Sequence, residues 1–166
     1  MQSTQKNNIT KSRRNYSKRE GDKAEQAFYN LIKSKGVDIY KSSRKDDIEK
    51  HIDFYIGDIG IDVKGNRHLE CIWLEETNVR GNKGWLRGDA KYIVFDIKEL
   101  KSFCFFNRQS LLNLVSAHTQ TTTDKNCYFK WYTRADWGRK DRIMKVRYDD
   151  IKHLEVKQLN YATITT

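Results

Sequence analysis

The stretch "HIDFYIGDIGIDVKG", residues 51–65, predicts a β-hairpin in which a few charged residues interrupt an otherwise apolar pattern. Gly57 and Asp58 form a two-residue turn, and glycine at the first turn position is typical of type II′. This turn determines which residues lie opposite each other. The predicted pairs are Ile56 with Ile59, Phe54 with Ile61, and Asp53 with Asp62.

Side chains alternate between the two faces of a strand, so the hairpin has an apolar and a charged face. The apolar face comprises Phe54, Ile56, Ile59, Ile61 and Val63. The other face carries Asp53, Asp62 and Lys64 together. Like charges directly opposite each other destabilise a sheet, and a divalent cation would offset that repulsion. Alternatively, the three charges lie on a solvated face and Lys64 pairs with one aspartate.

The Asp-x-Lys spacing alone is not specific, because it recurs at residues 96–98 and 150–152. Only the pair at 62 and 64 has a second acid brought opposite it by a turn. A helix also precedes it: residues 17–20 match a capping box, and apolar residues then follow at helical spacing until Gly36. This pattern predicts a helix over 18–35, with Glu25 at the margin of its apolar stripe.

The order of Glu25 on a helix, Asp53 at a strand start, and Asp62-Val63-Lys64 on the next strand resembles the PD-(D/E)XK nuclease superfamily. The resemblance covers roughly residues 20–97, and the chain is similar to small phage-type and homing endonucleases in general texture. Ile52 stands where the motif has proline. The resemblance implies an α/β (α+β) restriction-endonuclease-like fold, with a central mixed sheet flanked by helices in the order α-β-β-β-α-β.

The same resemblance implies the site chemistry. Asp53, Asp62 and the backbone carbonyl of Val63 would bind Mg²⁺, for which Mn²⁺ would substitute, and Glu25 would join directly or through a water. Lys64 would complete the catalytic set of Glu25, Asp53, Asp62 and Lys64. It would either help to deprotonate the attacking water or stabilise the transition state, and the sequence leaves that choice open.

Further elements follow from local patterns. We predict strands at 36–43, 68–76, 91–97, 127–134 and 142–148, a charged connection at 44–50, a glycine-rich loop at 77–89 and a helix at 108–118.

The formal net charge of +10 on 166 residues favours a nucleic-acid partner, duplex DNA first, although a merely basic protein is the alternative. The loop at 77–89 and the aromatic, basic region near 128–147 would contact phosphates, or else are an exposed turn and ordinary strands. The candidate contacts are Arg80, Lys83, Arg87, Arg134, Arg139 and Lys140.

Residues 1–16 are polar and basic, which predicts a flexible N-terminal arm ahead of one nuclease domain at 17–166. The three cysteines lack the spacing of a zinc site or a disulfide framework, and no apolar run is long enough to span a membrane. We therefore expect a cytoplasmic, intracellular protein that does not bind membranes. Cutting both DNA strands would favour a homodimer or a higher homo-oligomer.

These observations predict a Mg²⁺-dependent DNA endonuclease that hydrolyses phosphodiester bonds, with a site-specific homing or restriction-like enzyme favoured. Three alternatives stay open: a structure-specific nuclease of the Holliday-junction-resolvase type, an RNA nuclease and a non-catalytic nucleic-acid-binding module.

Overall fold

The computed structural model describes residues 2–134 and 138–161, with side chains described from residue 12 onward. The helices are α1 Gln2–Ser34, α2 Arg44–Lys50, α3 Arg108–Ser116 and α4 Tyr148–Ile151. The strands are β1 Tyr40–Lys41, β2 Phe54–Ile56, β3 Ile59–Arg67, β4 Ile72–Thr77, β5 Tyr92–Ile97, β6 Ser102–Asn107, β7 Thr121–Thr122, β8 Trp131–Tyr132, β9 Arg142–Val146 and β10 Glu155–Asn160. Short 3-10 helices occupy Trp85–Arg87 and Lys152–Leu154.

The strands form two sheets. The first has six strands in the order β1-β2-β3-β5-β6-β10, and the second has four in the order β4-β9-β8-β7. Both are mixed, since β3 pairs with β5 and β7 pairs with β8 in parallel while the other pairs are antiparallel. The general prediction of an α+β fold with a mixed sheet is confirmed. The strand predicted at 68–76 does not join the sheet of the hairpin, because β4 pairs with the distant β9 in a second sheet. The restriction-endonuclease-like order α-β-β-β-α-β stays a prediction.

Each face of the six-stranded sheet covers its own hydrophobic core. On one face, α1 packs Ala24, Phe28 and Ile32 against the predicted apolar face of the hairpin and against Phe103 and Phe105. On the other face lies a core that includes Ile93, Phe95, Phe106, Leu74, Trp85, Leu111, Trp131 and Met144. Because β5 is buried on both faces, its sequence reads as a continuous apolar run rather than as an alternating one.

The hairpin has the predicted register for two of its three pairs, whereas Asp53 lies just before β2 and does not pair with Asp62 in the ladder. Phe54 lies opposite Ile61 and Ile56 lies opposite Ile59. Gly57 has a φ of 61°, the positive value that a type II′ turn requires at its first central position. The local pattern therefore determined the geometry from which the rest of the site follows.

Helix α1 is much longer than predicted. It begins at Gln2, not near Lys18, so residues 2–16, predicted as a flexible arm, are helical. The capping box at 17–20 lies inside the helix. No proline or glycine interrupts the chain before Gly21, and its lysine and arginine residues favour helix. From residue 12 to residue 19 the side chains are exposed, so this part of the helix is not held by packing.

Several other predicted elements need correction. The strand expected at 36–43 is reduced to β1, and the strand expected at 127–134 is reduced to β8. The charged connection at 44–50 is helix α2, because the Ser43 hydroxyl accepts a 3.1 Å hydrogen bond from the Asp46 N–H and two acids lie in the first turn. Strands β6 and β10 were not predicted, although they pair with each other in the first sheet.

Candidate active site

The site forms just before β2 begins, where β3 continues past the end of their pairing. The Asp53 backbone N–H still donates a 2.9 Å hydrogen bond to the Ile61 carbonyl, but the Val63 N–H donates to the Asp53 carboxylate Oδ2 at 2.7 Å. A side chain thus takes the place of a ladder partner. The N–H and C=O of one residue point to the same edge of a strand, so we infer that the Val63 carbonyl is directed to this edge as well.

Asp62 is fully buried on the adjacent strand position, with 0% of the residue exposed. Its Oδ1 forms an ion pair with the Lys64 Nζ at a distance of 2.7 Å. Among the described residues, neither oxygen of this carboxylate has a hydrogen-bond partner. The alternative to a metal site was that the three charges lie on a solvated face and that Lys64 pairs with one aspartate. Asp62 is buried, so it does not lie on a solvated face, but Lys64 does pair with it.

The two aspartates lie on the same side of the sheet and interact. Burial and the Asp62 charge together raise the pKa of Asp53 to about 7. Burial also raises the pKa of Asp62, against the opposing effect of the Lys64 ammonium. Burial alone would lower the pKa of Lys64, but the charges of Asp62 and Asp53 outweigh it and raise the pKa. Two crowded carboxyls beside one ammonium therefore retain a proton near neutrality.

Glu25 approaches this pair because α1 and β3 touch without side chains between them. A Cβ added to Gly65 would lie 2.7 Å from the Ala24 Cβ and 3.0 Å from the Glu20 carbonyl oxygen. Burial, followed by the Asp53 charge, raises the pKa of Glu25 to about 7. Its carboxylate also lies 3.9 Å from the Lys41 Nζ.

The donor set suits a hard cation in part. Asp62 offers two buried carboxylate oxygens without hydrogen bonds, and Asp53 and the Val63 carbonyl adjoin it, which are the oxygen ligands that Mg²⁺ prefers. In the described ranges 2–134 and 138–161, however, no three His, Cys, Asp or Glu side chains are arranged to hold a metal ion. Glu25 is thus not grouped with the two aspartates as a direct ligand, and the fit rests on two carboxylates and a carbonyl.

Two residues near Lys64 were missed as site residues. The Lys64 Nζ lies 5.6 Å from the centroid of the buried Trp85 ring. Burial raises the pKa of Glu75, and the Lys64 charge opposes that shift. Glu75 was left out of the candidate set, but β4 lies in the second sheet and Glu75 is partly covered there. No local pattern signals that placement.

Part of the predicted nucleic-acid surface is brought together. The Lys140 backbone N–H donates to the Val79 carbonyl at 3.1 Å, and the Lys140 side chain packs over Gly81. The glycine-rich loop and the segment after residue 137 therefore join into one exposed surface, which we call the basic surface: Arg80, Lys83, Arg139 and Lys140. The Lys83 carbonyl lies 3.1 Å from the His51 ring, two residues before Asp53, so this surface adjoins the site.

The other two predicted contacts are engaged with acids. Arg134 forms an ion pair with the buried Asp141 through both Nε and Nη2. The Arg87 Nη1 lies 3.7 Å from the Glu76 carboxylate. Neither is as available to a phosphate as the sequence led us to expect.

Comparisons of the chain with family models, curated proteins and solved structures found no match. None of the helices in the part of the chain that the structure describes has the length and apolar character needed to cross a bilayer. The three cysteines are free thiols. The assignment to the PD-(D/E)XK superfamily thus stays a prediction from Glu25, Asp53, Asp62 and Lys64.

Proposed function

We propose that this protein is a Mg²⁺-dependent endonuclease that hydrolyses phosphodiester bonds in DNA. The single observation that carries the proposal is the buried Asp62 carboxylate, which lacks hydrogen bonds and is paired with Asp53 and Lys64. Burying a carboxylate without hydrogen bonds costs free energy, and ionisable groups with shifted pKa values cluster at functional sites. The resemblance of these residues to the PD-(D/E)XK motif points in the same direction.

Each residue has a defined part in this proposal. Asp53 and Asp62, with the Val63 carbonyl, would hold the cation, and Glu25 would act through water. A bound Mg²⁺ would supply charge neutralisation at the scissile phosphate and polarise a water. Lys64 would orient the water and stabilise the growing phosphate charge, or help to deprotonate the water.

The basic surface supports a polyanionic substrate. Its four cations are exposed and lie beside the candidate site, whereas Arg87 and Arg134 are paired with acids. Phosphate contacts of this kind position a nucleic acid without selecting its sequence. Specificity for a DNA site over a branched junction is therefore a separate matter, and competition between a linear duplex and a four-way junction would decide it.

The test is cleavage of supercoiled plasmid in Mg²⁺ by the wild type and by two variants, Asp62→Asn and Lys64→Ala. We expect each variant to lose at least about 100-fold in rate, because each removes a group that acts on the reacting phosphate. DNA affinity, measured in Ca²⁺, should stay within about threefold of the wild type.

Lys98→Ala is the matched control. Lys98 pairs with Asp96 at 2.8 Å in the same Asp-x-Lys spacing, but Asp96 lies on β5 and contacts Tyr161 instead of Asp53. It should cleave at the wild-type rate. Full activity of Asp62→Asn and Lys64→Ala, or no cleavage by the wild type in Mg²⁺ or Mn²⁺, would refute the proposal, and binding without cleavage would favour a non-catalytic module.

A further inference from the structure

A second feature beside the candidate active site is a cavity of about 450 Å³ between β3 and the second sheet. Its volume is in the range of small-ligand pockets, about 300–1,000 Å³. The residues that matter for the argument are Arg67, Trp73, Glu75, Trp85, Tyr132 and Asp141. Trp85 also lies beside Lys64, so the cavity opens next to the groups proposed to act on phosphate.

Aromatic side chains form one part of the wall. The rings of Trp73 and Tyr132 lie with centroids 5.7 Å apart and planes inclined by 43°, and Trp85 adds a third ring. Faces of aromatic rings are what proteins use to stack unpaired bases. The aromatic lining therefore favours a flat, aromatic ligand over an aliphatic one.

Two buried polar atoms in the wall have no hydrogen-bond partner among the described residues. They are the Oδ1 of Asp141, a residue only 4% exposed, and the Nε of Arg67. Arg134 donates to the other oxygen of Asp141, so Oδ1 stays available. Leaving a buried acceptor and a buried donor unpaired costs free energy, which a ligand offering both a donor and an acceptor would recover.

We propose that this cavity receives one unstacked nucleobase of the substrate, with guanine preferred. Guanine presents amino and ring N–H donors to a carboxylate, and O6 and N7 acceptors to an arginine, whereas thymine offers a carboxylate one N–H donor and no amino group. The inference rests on the proposed function for its substrate class. It goes beyond that function by naming which part of the nucleic acid the protein reads.

The experiment is NMR titration of the full chain, labelled with ¹⁵N, in EDTA. Three probes are compared: dGMP, dTMP and deoxyribose 5-phosphate. The indole N–H signals of Trp73 and Trp85 report on the cavity. The Trp131 indole serves as an internal control, because it is buried in the core and donates to the His118 carbonyl.

We expect dGMP to shift the Trp73 and Trp85 signals and to leave Trp131 in place. Affinity for dTMP should be about tenfold lower, since thymine offers the carboxylate one donor where guanine offers two. Deoxyribose 5-phosphate should leave all three signals unmoved. Equal shifts by dGMP and the sugar phosphate would identify an anion site, and no shift by dGMP would also overturn the inference.

Two variants sharpen the test. Asp141→Asn should weaken dGMP binding at least about fivefold, because an amide satisfies guanine donors less well than a carboxylate does. Tyr132→Leu should also weaken it, whereas Tyr128→Leu, on the same segment but with its ring stacked on Arg147, should not. If both cavity variants bind dGMP like the wild type, the inference fails.

The outcome is independent of catalysis. Plasmid cleavage without a base-dependent response would overturn the cavity assignment alone. A base-dependent response without cleavage would overturn the proposed nuclease activity alone.

Discussion

The backbone N–H of Val63 donates a 2.7 Å hydrogen bond to the carboxylate of Asp53, so the strand itself holds one acid beside the other. Asp62 precedes Val63 and is buried against the Lys64 ammonium. This arrangement concentrates charge that the surrounding protein does not neutralise. It therefore predicts how stability and cation binding should respond to pH and to substitution.

Asp53→Asn should stabilise the protein at high pH in the absence of divalent cations. The folded chain raises the Asp53 pKa from 3.8 to about 7, so it holds this proton more tightly than the unfolded chain does. The stability of the wild type is therefore expected to fall as pH rises from about 4 to about 7, and the full penalty is present above pH 7. Asparagine carries no charge, and its Oδ1 still accepts from Val63.

Thermal unfolding in EDTA at pH 5 and pH 8 measures this effect. The melting temperature of the variant relative to the wild type should rise by about 5 °C between the two values. Asp58→Asn, in the exposed hairpin turn, is the control and should show no such change. A difference between Asp53→Asn and the wild type that does not vary with pH would contradict the prediction.

Mg²⁺ should stabilise the wild type and not Asp62→Asn. A ligand that binds only the folded state at 100 times its dissociation constant contributes about 2.7 kcal/mol, or about 5–10 °C in a domain of this size. Differential scanning fluorimetry at pH 8 with increasing MgCl₂ measures it, again with Asp58→Asn as the control. An equal increase in Asp62→Asn would place the cation elsewhere.

Gly65→Ala should destabilise the protein and reduce cleavage. The new methyl would lie 2.7 Å from the Ala24 Cβ and against the α1 backbone, which forces the helix and its Glu25 away from β3. Overpacking of this kind costs about 1–3 kcal/mol. Urea denaturation and plasmid cleavage measure the two effects.

Gly21→Ala, on α1 facing β3, should change the free energy of unfolding in the opposite direction. A Cβ at Gly21 meets nothing within 4 Å, so alanine should stabilise α1 by about 1 kcal/mol. Neutrality of Gly65→Ala would show that the helix and strand are not in close contact, and destabilisation by Gly21→Ala would show that the space at Gly21 is not open.

The triple variant Arg80→Ala/Lys83→Ala/Lys140→Ala should weaken DNA binding and flatten its salt dependence. Each lost phosphate contact lowers the slope of log K against log salt by about 0.9. Fluorescence anisotropy at 50–200 mM NaCl measures the slope. Lys157→Ala, on β10 at the far edge of the six-stranded sheet, should leave it unchanged. The same slope in the triple variant would mean that DNA lies on another surface.

The sequence by itself determined the hairpin and its charged face. The turn at Gly57 and Asp58 and the alternation of apolar residues are local features, so they specify which side chains face each other without knowledge of the rest of the chain. The same holds for the apolar stripe of α1, whose spacing placed Phe28 and Ile32 in the core. Helix α2 was missed because a run of charged residues masked the capping signal of Ser43.

Only the tertiary structure decided what surrounds the Asp-x-Lys pair at 62 and 64, which the hairpin had already singled out in the sequence. The pairs at 62 and 64 and at 96 and 98 make ion contacts of 2.7 and 2.8 Å, so their local geometry is nearly the same. They differ in their neighbours: Asp53 and Trp85 surround the first, and Tyr161 contacts the second. The pairing of β4 with β9, which covers Glu75 and encloses the cavity at Asp141, depends on residues about 70 positions apart and leaves no trace in local periodicity.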